Sequence, residues 1–297
     1  MEKSMDKTPK YCVFIITHGR PDSVMTDKTL RRQGYTGPIY YIIDDEDKTA
    51  VQYREKYGDA VVQFEKKKYA DMTDEGDNFN NRRTTTHVRN AAYDIAQDLG
   101  YEYFIVLDDD YGQFKYRTNH NEQYPSERCT LRKTAGQAFA AMMAFFQSTA
   151  FRTIACAQGG DFIGGAGSAF GVSPTIRRKA MNSFFCATTR RVQFVGRLNE
   201  DVNTYCLHGS RGQLFGTVPL IALDQEQTQG QSGGMTDAYI ASGTYVKSFY
   251  TVMMCPSFVR VSTMNSKYAR VHHSISWKHA VPVILEEKHA AKRGRKR

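Results

Sequence analysis

The chain has 297 residues, 41% of them hydrophobic and 24% charged, which is enough for a sizeable core and excludes both a disordered chain and a disulfide-held mini-protein. Its 40 Lys and Arg against 31 Asp and Glu leave a formal charge of +9. Five of those positive charges are Lys292, Arg293, Arg295, Lys296 and Arg297, so the body is only mildly basic and the excess sits in a tail suited to a polyanion. The longest purely apolar run, Ala138 to Phe146, is far short of the ~20 residues that cross a bilayer. Met1 to Lys10 lack the apolar stretch of a secretory leader, so the expected location is cytoplasmic with no membrane contact. The six cysteines contain no C-x-x-C pair and read as reduced, mostly buried thiols.

In chain order, short apolar runs at Tyr11–Thr17, Ile39–Ile43, Val61–Phe64 and Tyr103–Leu107 suit strands buried on both faces of a parallel sheet. Helices are expected from Pro21 to before Gly34, over Lys48–Tyr57, and over Thr85–Leu99, where Val88, Ala91, Ala92, Ile95, Ala96 and Leu99 share one face ahead of Gly100. Lys66–Arg83 is polar and aperiodic and reads as a long functional or mobile loop. Beyond residue 110 the pattern loosens. A helix over Leu131–Gln147, strands at Thr153–Ala157 and Val192–Val195, a glycine-rich loop over 159–171, a helix from Asn199 and another over Thr236–Met253 are expected. Such β-α alternation predicts right-handed crossovers and a nucleotide-binding type of α/β domain.

The chemistry gathers at strand ends, where open parallel sheets bind ligands. The fourth strand runs into Asp108-Asp109-Asp110, three carboxylates whose mutual repulsion calls for a cation, and oxygen donors select Mg²⁺ or Mn²⁺. The first strand ends in Thr17-His18-Gly19-Arg20-Pro21, where Gly19 admits close backbone approach and Arg20 offers a fork for phosphate. The second ends in Asp44-Asp45-Glu46-Asp47, acceptors for a ribose or a base. Neither G-x-G-x-x-G after the first strand nor a P-loop is present. A diphosphate-sugar site held by metal remains.

These residues resemble the GT-A class of nucleotide-sugar glycosyltransferases. Arg89-Asn90, LDDDY at 107–111, AQGGDFIGG at 157–165, GRLNEDVNTY at 196–205, TQGQSGGMTD at 228–237, GTYVKSFY at 243–250 and SISWKHAVPVIL at 274–285 are, further, similar to the TET-associated glycosyltransferases of bacteriophages. The resemblance spans about Tyr11 to Leu285. It implies an α/β, GT-A-like nucleotide-binding sheet, mostly parallel and flanked by helices, with an elaborated C-terminal acceptor-binding half. The expected organisation is a tail (1–10), one domain (11–287) with a nucleotide-sugar half to about 115, and a basic tail (288–297).

It also implies a reaction: metal-dependent transfer of a sugar, from a UDP-sugar foremost, to 5-hydroxymethylcytosine in phage DNA, alongside a TET-like dioxygenase. A glycan or protein acceptor, or a non-catalytic DNA-binding protein, are the alternatives. Carried over by position, Asp110 coordinates the metal, Asp108 shares it or faces the ribose, and His272 or His273 completes the site. Thr17, Gly19, Arg20, Asp44, Asp45, Arg89, Asn90, Asp108 and Asp109 contact the nucleotide-sugar. For an inverting transfer Asp201 is the first choice of base and Glu200 the second; a retaining transfer needs neither. Gly160, Asp161 and Asn199 contact acceptor or sugar, and Gln225, Gln227, Gln229 and Gln231 offer further amides. The tail, with Arg177-Arg178-Lys179 and Arg190-Arg191, supplies affinity for duplex phosphates.

Overall fold

Along β1 (Tyr11–Ile16) successive side chains enter opposite layers: Cys12, Phe14 and Ile16 join one apolar cluster, Val13 and Ile15 another. A strand covered on both faces needs apolar residues at both parities, hence the unbroken run. The architecture is that of a computed structural model, which describes residues 9–118, 127–158, 176–178, 180–225, 246–264 and 270–282. β1 pairs in parallel with β2 (Ile39–Asp44) and β4 (Tyr103–Asp108), and β2 with β3 (Val61–Phe64). Beyond β4 lie β8 (Ser183–Ala187), β7 (Thr153–Ala157), β9 (Phe215–Gln225), β5 (Tyr111–Thr118) and β6 (Glu127–Thr130), giving the order β3-β2-β1-β4-β8-β7-β9-β5-β6. Only β8 and β5 run against the other seven, so the sheet is mostly parallel, as expected.

Helices α1 (Met25–Arg32), α2 (Ala50–Tyr57) and α5 (Ala135–Ser148) cover one face through Leu30, Tyr53, Phe139 and Phe146; α4 (Thr86–Asp98) and α6 (Glu200–Gly209) cover the other through Ala91, Ala92, Tyr205 and Cys206. A hairpin of β10 (Val259–Met264) and β11 (Arg270–Ile275) packs on α7 (Val246–Met254), and α8 (Trp277–Ala280) closes the described chain. The five described cysteines are buried free thiols. No helix among the described residues is long and apolar enough to cross a membrane.

Three expectations are corrected. The Pro21–Gly34 helix is two pieces, a 3-10 turn at Pro21–Ser23 and α1. Lys66–Arg83 opens with a short helix, α3 (Lys66–Ala70), and its remainder is tied down: Gly196 N–H donates to the Asp74 carbonyl at 2.7 Å and Arg197 N–H to that of Glu75 at 2.8 Å. Val192–Val195 is not a strand. Its backbone is claimed by side chains, since Asn90 accepts from Phe194 N–H and donates to the Phe194 carbonyl, and Thr204 accepts from Val195 N–H. The antiparallel strand of this region is β8.

Candidate active site

A cleft of about 960 Å³ lies at the carboxyl ends of β1, β2 and β4. The chain reverses there through Asp108-Asp109-Asp110, and α1 holds the reversal: Met25 and Thr26 N–H groups donate to the Asp109 carbonyl at 2.8 and 3.1 Å, and the Thr26 hydroxyl to that of Asp108 at 2.6 Å. The aspartates therefore leave one rigid turn in different directions.

Each meets a different partner. Arg20 grips Asp109 with both ends of its fork, Nε and Nη2 each at 2.7 Å, and the Thr17 hydroxyl adds a third bond at 2.6 Å. Asp108 lies 3.1 Å from Arg89 Nη2, while Arg89 Nη1 bonds Glu200 Oε1. Asp110 accepts from the neutral amide of Gln225, whose Nε2 is 3.1 Å from both carboxylate oxygens. The expectation that all three need an external cation is thus corrected, because the protein itself supplies cations to Asp108 and Asp109. Arg20, read as a phosphate fork, spends that fork on Asp109.

The remaining charge is uneven. Burial pushes Asp110 up to about 7, with the Asp108 charge adding to it. Burial likewise lifts Asp108 to about 6 although Arg89 pulls the other way. Asp109 is raised by burial against the opposing pull of Arg20. A pair of carboxylates this reluctant to ionise, one hydrogen-bonded to an amide and not to a cation, fits a divalent cation, whose charge would relieve both. Among the described residues no three His, Cys, Asp or Glu side chains converge to hold an ion unaided. His272 and His273, adjacent on β11 with ring centroids 4.2 Å apart, line the same cleft.

Opposite the aspartates stands the start of α6. Asn199 adopts the left-handed conformation (φ 61°) and donates from Nδ2 to Thr251 Oγ1 at 2.5 Å, so α7 fixes the helix entry. Gly196 is required nearby: with φ 85°, a Cβ there would lie 2.1 Å from Asn203 Nδ2, whose bond to the Leu198 carbonyl shapes the turn. The turn puts Glu200 and Asp201 on the cleft wall. Glu200 is claimed by Arg89 and by the Thr85 hydroxyl; burial raises its pKa while Arg89 counters. One oxygen of Asp201 accepts the N–H of Val202 at 2.7 Å.

At the far end His18 Nδ1 lies 2.8 Å from Asp44, Lys66 Nζ 3.4 Å from the same oxygen, and Gly19 N–H donates to Asp47 at 2.9 Å. The hydrogen bond to Asp44 raises the His18 pKa. Burial opposes ionisation of Asp44, but His18 and Lys66 hold its pKa below the usual range. Arg82, paired with Glu46, and Asn80 to Thr85 form the adjoining wall. Asp47 was among the strand-end acceptors expected from the sequence, whereas His18, Lys66 and the individual residues of this wall were assigned no contact; the Asn-rich polar run ahead of Arg82 and Arg83 was the available clue.

Two predicted contacts lie elsewhere. Asn90 spends its amide on Phe194 and Thr73, behind the cleft. Asp45 turns to the surface and accepts the Lys66 N–H, capping α3. The Arg190-Arg191 phosphate patch is also corrected: Arg190 donates to the carbonyls of Phe146, Gln147, Thr149 and Phe151 around the end of α5, and Arg191 pairs with Asp94. Gly160, Asp161, Lys179, Gln227, Gln229, Gln231 and the tail Lys292, Arg293, Arg295, Lys296 and Arg297 lie outside the described residues.

The model of the TET-Associated Glycosyltransferase family matches residues 11–234. The chain belongs to that family. This TET-associated glycosyltransferase finds no match among curated protein sequences. Among solved structures it is similar to glucosyl-3-phosphoglycerate synthase from Mycobacterium tuberculosis. In complex with Mn²⁺, UDP and phosphoglyceric acid, that synthase gives a TM-score of 0.46 at 8% identity, covering 93% of this chain and 88% of that one. With Mg²⁺ and UDP the values are 0.46 and 8%, covering 90% and 88%.

Proposed function

We propose that this glycosyltransferase moves a sugar from a nucleotide-sugar donor, a UDP-sugar foremost, to the hydroxyl of 5-hydroxymethylcytosine in double-stranded DNA, acting after a TET-like dioxygenase. The observation that carries the transfer is the meeting, in one cleft at the strand ends, of the under-neutralised Asp110 with Asp201. The family's TET association supports the acceptor.

The reaction breaks the bond between the anomeric carbon and the diphosphate oxygen, which leaves with the electron pair, and joins that carbon to the hydroxymethyl oxygen. Asp110, with Asp108 beside it, would hold a divalent Mn²⁺ or Mg²⁺. Bound there, the ion supplies Lewis-acid stabilisation of the diphosphate charge. Arg20 and Arg89 serve inside the wall, pairing with Asp109 and Asp108 and holding them in place. For an inverting transfer Asp201 takes the proton from the acceptor hydroxyl. Glu200 is the weaker choice because Arg89 and Thr85 already occupy it. The His18-Asp44 pair and the backbone of Gly19 face the nucleotide end. The hydroxymethyl group projects into the major groove, where it is reached directly or after base flipping.

The deciding experiment incubates the protein with DNA containing hydroxymethylcytosine, a panel of sugar nucleotides and Mn²⁺, then digests the DNA and weighs the nucleosides. One donor should add one sugar to 5-hydroxymethyl-2′-deoxycytidine. No added mass with any donor, while a glycan or protein acceptor is consumed, overturns the DNA acceptor.

A further inference from the structure

Gln225 joins two parts of the chain that are distant in sequence. It ends β9 as the register partner of Tyr111, the residue after Asp110. Its Nε2 approaches both Asp110 oxygens at 3.1 Å, while its Oε1 accepts from Asn182 Nδ2 at 3.0 Å. Asn182 is itself fixed, with a left-handed φ of 58° and a carbonyl that accepts the hydroxyl of the buried Tyr111. Asp110, Tyr111, Asn182 and Gln225 thus close a ring of one peptide link and three hydrogen-bonded links.

Electrostatics set the sense of the amides. A Gln225 oxygen turned towards Asp110 would face anionic oxygens, so the NH₂ turns there, and the donor from Asn182 satisfies the oxygen left behind. The contrast with the two neighbouring aspartates is chemical. Arg20 and Arg89 both orient and neutralise Asp109 and Asp108. A carboxamide orients Asp110 without pairing it to a cation.

We propose that Gln225, its sense set by Asn182, is a positioning residue that presents the Asp110 carboxylate to a divalent cation in one preset orientation. The inference rests on the reading of Asp110 as the metal-binding carboxylate. Groups that orient a metal-binding side chain without touching the ion change affinity about 10–100-fold when removed.

The test is Mn²⁺ binding by calorimetry and electron paramagnetic resonance on the full chain, both alone and with saturating UDP to supply diphosphate oxygens, for the unsubstituted protein and the variants Asp110→Asn, Gln225→Met and Asn182→Gly. Glycine keeps the left-handed backbone and the carbonyl that Tyr111 reaches, and removes only the side-chain amide. Gln225→Met is expected to weaken Mn²⁺ about tenfold or more, and Asn182→Gly by a smaller factor in the same direction. A purely structural role would lower the unfolding midpoint without changing the dissociation constant of the folded protein. Mn²⁺ affinity in Gln225→Met equal to or tighter than that of the unsubstituted protein overturns the positioning role. No Mn²⁺ binding by the unsubstituted protein, or binding untouched by Asp110→Asn, overturns the metal reading itself and this inference with it.

Discussion

One guanidinium, that of Arg89 on α4, bonds Glu200 at the start of α6 and lies 3.1 Å from Asp108 at the end of β4. Arg89 is 2% exposed, and its guanidinium lies 4.9 Å from the centroid of the Phe184 ring. It sets both walls of the cleft from a water-poor position, so its removal strands two buried carboxylates. Arg89→Met is expected to lose about 3–5 kcal/mol of stability. Arg89→Lys should lose less, since it keeps the charge without the fork that spans both acids. Trp277, the sole tryptophan, stacks on Tyr205 of α6 at 5.6 Å and reports unfolding in urea by fluorescence. An unchanged midpoint in Arg89→Met would show that the bridge is energetically idle.

The two acids on α6 should separate in a kinetic test. For an inverting transfer, Asp201→Asn is expected to lower kcat by about 10²–10⁴ with donor binding and unfolding midpoint unchanged. Glu200→Gln weakens a charge-assisted bond to Arg89, so it should cost about 1–3 kcal/mol of stability with the smaller loss of kcat. Measured turnover and urea midpoints for both variants decide it, and the opposite pattern would exchange their roles.

Asp110 links pH to stability in the metal-free protein. Its pKa rises from the ordinary 3.8 in the unfolded chain to about 7 in the fold, so between those values the folded state binds more protons and stability falls as pH rises. Asp110→Asn removes this cost. In chelator it should melt above the unsubstituted protein by a margin that is absent near pH 4 and grows through about pH 7, reaching at most about 4 kcal/mol. The same substitution should abolish Mn²⁺-dependent transfer. Melting curves across that range test the first effect, and a margin independent of pH would contradict it.

Binding to hydroxymethylated duplex should fall steeply with salt. Each phosphate neutralised contributes about −0.9 to the slope of log K against log salt. Deleting residues 292–297, which carry five positive charges, should flatten that slope by up to about 4 in anisotropy titrations. An unchanged slope would mean that the tail does not touch DNA.

Much of the nucleotide-end architecture was legible. β1, β2 and β4 announce themselves as unbroken apolar runs because helices cover both faces, and α4 because its apolar positions recur at helical spacing. β5 and β9 were not. β5 reads YGQFKYRT, and β9 contains Pro219, which falls where the register between β7 and β9 shifts from Cys156–Val218 to Ala157–Ala222. A proline is tolerated at such an irregularity although it argues against a strand in sequence.

The sequence by itself determined which chemistry the cleft contains: carboxylates at strand ends, a glycine-containing turn after β1, and acids at the start of α6, because burial patterns and turn residues act over short spans. Tertiary structure decided which of those charges remain available. Arg20 reaches Asp109 across 89 positions and Arg89 reaches Glu200 across 111, while Asn90 and Arg190 turn inward to satisfy backbone groups. Charge pairing depends on distance in space and on the loss of water around each group, neither of which local sequence encodes. Of three adjacent aspartates, the fold therefore leaves Asp110 with a neutral partner.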